Sequence, residues 1–440
     1  MDIDKIKQRI LDLAIRGKLV SQDPNDEPAS VLIEKIKSEK EKMIKEGKIK
    51  PSKDDSYIYK ASDNCYYENI PNGWTLVKLK ELIFLKSGMD LTLSEINTNS
   101  VGIPYLTGAS CFTNNGLLIN RWTNAPKNIS YKNDLLITVK GTIGELAFNN
   151  IGEVHIARQI MALTINKEIE QKFIFYFLLV NKERMIQKNA SLIPGIKRDD
   201  ILNLEIALPP KEEQKRIIAK IDELLYFVKK IRNELKAMRD LSIAVKRKIL
   251  DFFFGENSSY KSYYEKDLYK LVKLSQICSL YTGDSINKEI KNEKYKGHTA
   301  GVPYIATKDI DTKHSINYQN GVFIPSPELC KFSIAPKKSI LLCIEGGSAG
   351  KKIAITDMDV CFGNKLCCFV SNNNILSSYL FYYLQSSVFK KSFTTNISGL
   401  IGGVGINKLR NIELFLPPKE KQLQIVEIIK KSFDIIDKIY

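Results

Sequence analysis

The sequence predicts an α+β fold in which two similar domains are separated by long antiparallel coiled-coil helices, the whole forming a circularly permuted internal duplication. Three observations lead there. Asn203 to Ile231 aligns without gaps to Asn411 to Ile439, with 12 identities in 29 positions centred on Leu208-Pro209-Pro210-Lys211-Glu212 and Leu416-Pro417-Pro418-Lys419-Glu420. Shorter matches recur upstream in the same order, such as Gly102 to Leu106 with Gly301 to Ile305, and Leu85 and Gly88 with Leu280 and Gly283. A long repeat of this kind marks one ancestral unit written twice. Between the copies, apolar residues alternate spacings of four and three, which is the period of a coiled coil.

Residues 1–56 read as an N-terminal helical region and arm. Lys7 with Ile10-Leu11-Asp12 repeats Lys246 with Ile249-Leu250-Asp251, which places residues 1–17 near 417–440. Pro24 to Pro28 is a turn. Val31, Leu32 and Ile36 then mark an amphipathic helix that runs into a lysine-rich, solvated helix or arm. Residues 57–208 and 256–416 are the paired domains. In them short β-branched and aromatic runs (Leu135 to Val139, Ser339 to Ile344, Ala354 to Thr356, Leu366 to Val370) alternate with Gly, Asn and Pro turns. Each also holds one helix, Phe173 to Gln187 and Ser377 to Phe389.

Residues 209–255 form a single central helix. Proline is tolerated in a first helical turn, and Glu212-Glu213 complements the positive end of the helix dipole. Its seam is Ile217, Ile221, Leu224, Val228, Ile231, Leu235 and Met238. At ~1.5 Å per residue the helix is roughly 65–70 Å long. The C-terminal helix, 417–440, keeps the seam at Ile425, Ile429, Ile436 and Ile439.

Composition narrows the function. The chain carries 66 Lys plus Arg against 50 Asp plus Glu, a formal charge of +16, which favours a polyanionic partner. The surplus is not a tail: residues 209–255 hold 12 basic and 7 acidic groups, and 256–416 hold 20 and 13. No apolar stretch reaches the ~20 residues of a membrane span, so no membrane partner is expected. A charged N-terminus and eight cysteines without Cys-x-x-Cys pairs suit a reduced, cytoplasmic protein. Three histidines give no metal-ligand spacing. Gly346 to Lys351 is one residue short of a P-loop and is followed by Lys352 rather than Ser or Thr. The sequence holds no catalytic constellation and no metal site.

Two diverged basic domains held apart by stiff helices suit the measuring of two sites on a linear partner. Base edges in the major groove are read by Arg, Lys, Asn and Gln, with further cations on the phosphates. The first domain offers Asn114, Asn115, Arg121, Lys140, Thr142, Arg158 and Gln159 in loops. The second offers Lys308, Lys313, Asn317, Gln319, Lys351, Lys352, Asn364 and Lys365. The other class of reading is a coiled-coil protein-binding scaffold whose charge reflects lysine-rich composition alone.

Lys7 to Ala14 with Gly17-Lys18-Leu19-Val20, then Gln22-Asp23-Pro24-Asn25-Asp26-Glu27-Pro28-Ala29, Ile70-Pro71 with Gly73-Trp74, and the two Leu-Pro-Pro-x-x-x-Gln helix starts together resemble the specificity subunits of type I restriction–modification systems. The resemblance covers nearly the whole chain, although the second domain lacks the Ile-Pro-x-Gly-Trp segment. It implies two target recognition domains, each reading one half of a split, asymmetric site in double-stranded DNA. It also implies helices that dock two methyltransferase subunits, with restriction subunits joining through that core. S-adenosylmethionine, ATP and Mg would belong to those partners, and none to this chain. A methylation-only or phage-defence system without a restriction partner is equally compatible with the sequence.

Overall fold

The computed structural model describes residues 2–47, 67, 69–113, 116–187, 195–255, 268–297, 300–397 and 402–439. The chain divides into two compact units, Met1–Asn233 and Glu234–Tyr440, so the seam of the duplication lies inside the central helix.

Unit 1 begins with α1 (Ile3–Ile15) and α2 (Ala29–Lys45). Its strands are β1 (Thr75–Lys78), β2 (Ile83–Ser87), β3 (Ile103–Leu106), β4 (Phe112–Thr113), β5 (Gly116–Leu117), β6 (Trp122–Thr123), β7 (Ile129–Ser130), β8 (Leu135–Thr138), β9 (Leu146–Phe148), β10 (Val154–Ile156), β11 (Ile160–Ile165) and β12 (Glu205–Leu208). Helices α3 (Gln171–Val180), α4 (Lys182–Gln187) and α5 (Arg198–Leu202) follow β11, and α6 (Lys211–Phe254) follows β12. One four-stranded sheet runs β2-β11-β8-β9 and a second runs β6-β3-β10-β7, while β1 pairs with β12. All pairings are antiparallel except β3 with β10.

Unit 2 repeats this plan. Its strands are β13 (Lys270–Lys273), β14 (Cys278–Thr282), β15 (Val302–Ile305), β16 (Phe323–Ile324), β17 (Ile334–Ala335), β18 (Ile340–Cys343), β19 (Ile353–Ile355), β20 (Val360–Phe362), β21 (Leu366–Ser371) and β22 (Glu413–Leu416). The sheets run β14-β21-β18-β19 and β16-β15-β20-β17, with β13 on β22 and with β15 and β20 parallel. Helices α7 (Ser377–Tyr383), α8 (Ser387–Thr395) and α9 (Lys419–Ile439) complete it.

The central strand of each unit is buried on both faces. Leu135 and Ile137 of β8 join the core beneath the helices, whereas Leu136 faces the second sheet. In β18, Ile340 and Leu342 face the helices while Leu341 and Cys343 face the other sheet. A period-two strand covered on both sides needs a continuous apolar run, which is why these segments stood out in the sequence. The helical layer is likewise repeated. Leu11, Ala14 and Ile15 of α1 are buried in unit 1, and their matched residues Leu250, Phe253 and Phe254 are buried in unit 2. Phe254 there meets Tyr379 and Tyr383 edge-on at 5.2 and 5.9 Å. The identical isoleucines of the long match, Ile217 with Ile221 and Ile425 with Ile429, are fully buried in their own units.

Two expectations need correction. The helices expected over Phe173 to Gln187 and Ser377 to Phe389 are each broken. In unit 1 the Asn181 side chain donates to the Phe177 carbonyl at 2.9 Å, capping α3 before α4 begins. In unit 2 the Ser386 hydroxyl accepts from the Phe389 N–H at 3.3 Å and starts α8 afresh. The lysine-rich segment after Ile36 is not a free arm as far as Lys45. α2 buries Leu32, Ile33 and Ile36, Lys40 reaches the buried Glu81 at 3.2 Å, and Glu39 pairs with Lys167 at 2.7 Å.

The glutamine of each Leu-Pro-Pro-x-x-x-Gln start does the same work twice. Gln214 accepts from the Glu170 N–H at 3.0 Å and donates to the Pro209 carbonyl at 2.9 Å. Gln422 accepts from the Leu376 N–H at 2.9 Å and donates to the Pro417 carbonyl at 2.9 Å. Each thereby ties the start of α6 or α9 to the start of α3 or α7, and both side chains are fully buried. Leaving such groups unpaired costs about 1–3 kcal/mol. Gln214→Ala should therefore lower the midpoint of unfolding followed by tryptophan fluorescence, since both tryptophans, Trp74 and Trp122, lie in unit 1. An unchanged midpoint would show that the bridge is dispensable.

Candidate nucleic-acid interface

Strand direction gathers three loops at one end of each unit. Because β3 and β10 are parallel, their C-terminal ends lie together, and the antiparallel pairing of β8 with β11 brings the end of β8 to the start of β11. The loop after β3, the loop after β8 and the β10–β11 turn therefore meet. Backbone bonds lock them: Ala157 N–H to the Leu106 carbonyl at 2.9 Å, and Val139 N–H to the Gln159 carbonyl at 2.8 Å. Unit 2 repeats both bonds, Gly363 N–H to Ile305 and Ile344 N–H to Lys365, each at 2.9 Å. The loops after β8 and β18 close through matched glycines with positive φ, Gly144 (78°) and Gly350 (69°), where a side chain would strain the backbone.

This end collects most of the candidates. In unit 1, Lys140, Thr142, Arg158 and Gln159 are exposed on it. In unit 2, Lys308, Lys351, Asn364 and Lys365 are exposed there, while Lys352 is half-buried and donates to the Thr307 carbonyl at 2.8 Å, tying two of the loops together. Lys351 donates to the Gly347 carbonyl at 3.0 Å. The glycine loop leads into strand β19, whereas a P-loop needs a helix at that point.

The other candidates sit apart. Arg121 is exposed beside β3, its carbonyl accepting from the Tyr105 N–H at 2.8 Å. Lys313, Asn317 and Gln319 are exposed on the loop after Ile310, which is pinned by the His314 ring on the Ile353 carbonyl at 3.0 Å. The Asn317 side chain accepts from the Gln319 N–H at 3.1 Å and so serves its own turn. Asn114 and Asn115 lie outside the described residues.

Two carboxylates, which lie outside the basic and amide pattern of the sequence, also border the cluster. Asp90 lies 2.7 Å from Arg158 Nε and accepts from the Arg158 N–H at 3.0 Å. Glu345 lies 3.9 Å from Lys365 Nζ. The segment carrying Asp90 is held by Gly88, where a Cβ would stand 2.0 Å from the Ala157 carbonyl oxygen, and Gly283 comes as close to the end of β20, a Cβ there standing 1.9 Å from the Phe362 carbonyl oxygen. In unit 2, burial and the neighbouring Lys308 push the Lys291 amine below its usual range.

The helices present a second kind of surface. Leu224 and Val228 are half-buried, but Ile231 in unit 1 and Leu235 and Met238 in unit 2 are exposed, along with Tyr226, Phe227 and Leu241. On α9, Ile436 is half-buried and Ile439 exposed. Within unit 2 a groove of about 570 Å³ runs between α6 and α9, lined by Leu241, Val245, Phe252 and Ile428 among others. Among the described residues, no group of His, Cys, Asp and Glu could hold a metal ion, and no helix is long and apolar enough to cross a membrane.

A family model for the type I restriction modification DNA specificity domain matches residues 71–237 and again 266–439. The EcoEI specificity subunit of Escherichia coli is 27% identical over 257 residues, 53% of this chain and 41% of that protein. The EcoAI specificity subunit of the same species is 29% identical over 237 residues, 51% and 39%. The chain thus spans about two fifths of the length of these relatives. The MjaVIII specificity subunit of Methanocaldococcus jannaschii is 23% identical over 399 residues, 84% of this chain and 88% of that protein. A solved chain from work on complex assembly and conformational transition of the type I R-M system shares the fold, with a TM-score of 0.66 at 19% identity over 84% of this chain and 93% of that one.

His155 of β10 holds the unit 1 loops from beneath. It is fully buried, Nδ1 accepts from the Lys127 and Asn128 N–H groups at 3.2 Å each, and Nε2–H donates to the Met89 carbonyl at 2.8 Å. Only the neutral ring can accept at Nδ1. Burial pushes its pKa below the usual 6.5, the Met89 bond opposes this, and Lys127, Glu95 and Asp90 are the charges around it. Stability from this contact is complete above about pH 6.5, where both folded and unfolded chains hold neutral histidine, and is lost as pH falls, because the unfolded chain takes up the proton more readily. Hydrogen-exchange protection of the Lys127 and Asn128 amides should fall relative to β8 between about pH 7.5 and about pH 5.5. Constant relative protection would exclude the imidazole as the support.

Proposed function

Because the chain belongs to the type I restriction–modification DNA specificity family, we propose that it is a DNA-reading subunit with no catalysis of its own, each unit contacting one half of a bipartite, asymmetric site. One observation carries the reading. The same three-loop end is built twice on one sheet topology, with the same backbone bonds and different exposed side chains. A constant frame carrying variable Arg, Lys, Asn and Gln groups is what reading two unlike half-sites requires. Lys140 and Lys351 supply phosphate contacts, and the other exposed candidates border the groove.

The partners follow from the helices. The exposed apolar residues of α6 and the groove beside α9 support docking of two methyltransferase subunits, with restriction subunits joining that assembly. S-adenosylmethionine, ATP and Mg act in those partners, on DNA in the cytoplasm. The scaffold alternative accounts for the apolar helix surface but gives no reason for matched, polar loop ends.

Duplex binding by the chain in complex with its methyltransferase partner should weaken steeply with salt, log affinity falling linearly with log salt at about −0.9 per phosphate neutralised. Lys140→Gln should reduce that slope by about 1 without changing sequence preference. A flat salt dependence of the complex would refute the DNA reading.

A further inference from the structure

The matched backbone bonds make the β10–β11 and β20–β21 turns residue-for-residue equivalents: Ala157 corresponds to Gly363, Arg158 to Asn364, and Gln159 to Lys365. At Gln159 and Lys365 the side chain lies against a neighbouring loop of its own unit. Gln159 lies across the loop after β3, so close that a Cβ on Gly108 would stand 2.3 Å from its Oε1, and Lys365 faces Glu345. At Arg158 and Asn364 the outward end of the side chain stays open. Arg158 and Asn364 are exposed, and no other contact holds the terminal nitrogens of Arg158 among the described residues. Asp90 sits on the Nε side of that guanidinium and on the backbone N–H behind it. This leaves the two Nη groups as an outward donor pair, the pattern that matches O6 and N7 of guanine. An exposed asparagine amide offers one donor and one acceptor, the pattern that matches N6 and N7 of adenine.

We propose that the middle residue of this turn determines specificity in each unit: Arg158 reads a guanine in one half-site and Asn364 an adenine in the other, with Asp90 positioning Arg158. The inference rests on the DNA-reading function proposed above and assigns a base to one position per half-site. Asp90 acts through Arg158 and touches no base.

The test uses the host strain, with the gene deleted and then restored as wild type, Arg158→Asn, Asn364→Arg or Asp90→Asn, and the methylated adenines of the genome mapped by single-molecule sequencing. A map unaffected by deletion would refute the DNA-reading function itself, independently of the turn. With wild type restoring a two-part motif, Arg158→Asn should reduce preference for guanine at one position of one half-site by about 10- to 100-fold. Asp90→Asn should relax that same position less, and Asn364→Arg should alter only the other half-site. Purified complexes bound to duplexes carrying single base changes should give the same ranking. An unchanged motif in Arg158→Asn overturns the assignment. An equal loss of affinity for every duplex also overturns it, since that marks a phosphate contact.

Discussion

Burial of the central strand on both faces is the constraint from which the rest of each unit follows. β8 and β18 have no solvent side, so each needs a helical layer on one face and a second sheet on the other. The helical layer comes from α1, α2, α3 and the start of α6 in unit 1, and from the end of α6 with α7, α8 and α9 in unit 2. Once both faces are covered, polar side chains can reach a ligand only from the strand ends. The parallel pair at β3 and β10, and again at β15 and β20, then decides which loops share an end. The loop cluster is thus a product of topology rather than of loop sequence, and so it survives in two copies whose loops have diverged.

The strands were legible because two-sided burial writes them as unbroken apolar runs, and α6 was legible because its proline start and its period are both local signals. The breaks at Asn181 and Ser386 were not, since apolar residues continue past both and the interruption is a single side-chain bond to the backbone. The docking of α2 was hidden for a different reason. Its lysine-rich half is held by Glu81 and Lys167, residues distant in sequence, and such pairs leave no local pattern. At the loop end, the repeat pointed to the glycine loops and the side chains beside them. It could not separate Lys352, spent on the Thr307 carbonyl, from Lys351 next to it, and it gave no cue to Asp90 or Glu345.

The two copies also differ where α6 and α9 begin, and the difference is physically consistent. In unit 1, Glu213 is buried and accepts from Trp74 Nε1 at 3.0 Å and Gln22 Nε2 at 3.3 Å, joining the segment after α1 to the helix start. Burial pushes this carboxyl up, and the two neutral donors oppose it. The corresponding residue in the second copy is Lys421, and that copy lacks the segment containing tryptophan. Glutamines 214 and 422 keep the shared joint, so the residue beside each is free to serve what is particular to its copy.

Magnitudes explain why the acidic neighbours of the loop cluster are compatible with binding a polyanion. The Asp90–Arg158 pair is exposed on both sides, and exposed pairs contribute only about 0–1 kcal/mol. A good bidentate base contact is worth about 1–3 kcal/mol of discrimination, so the pair is no barrier to recognition. Its effect lies in geometry: an unrestrained arginine gives up much of its rotamer freedom when it docks, at about 0.5–1.5 kcal/mol for such a side chain, and a carboxylate that fixes the guanidinium beforehand removes part of that loss. The same logic separates the two turns. Asp90 holds Arg158 at its backbone N–H and at Nε, whereas no contact among the described residues fixes the Asn364 amide. On the proposed reading, unit 1 thus has the more ordered reader, although unit 2 carries more of the surplus charge.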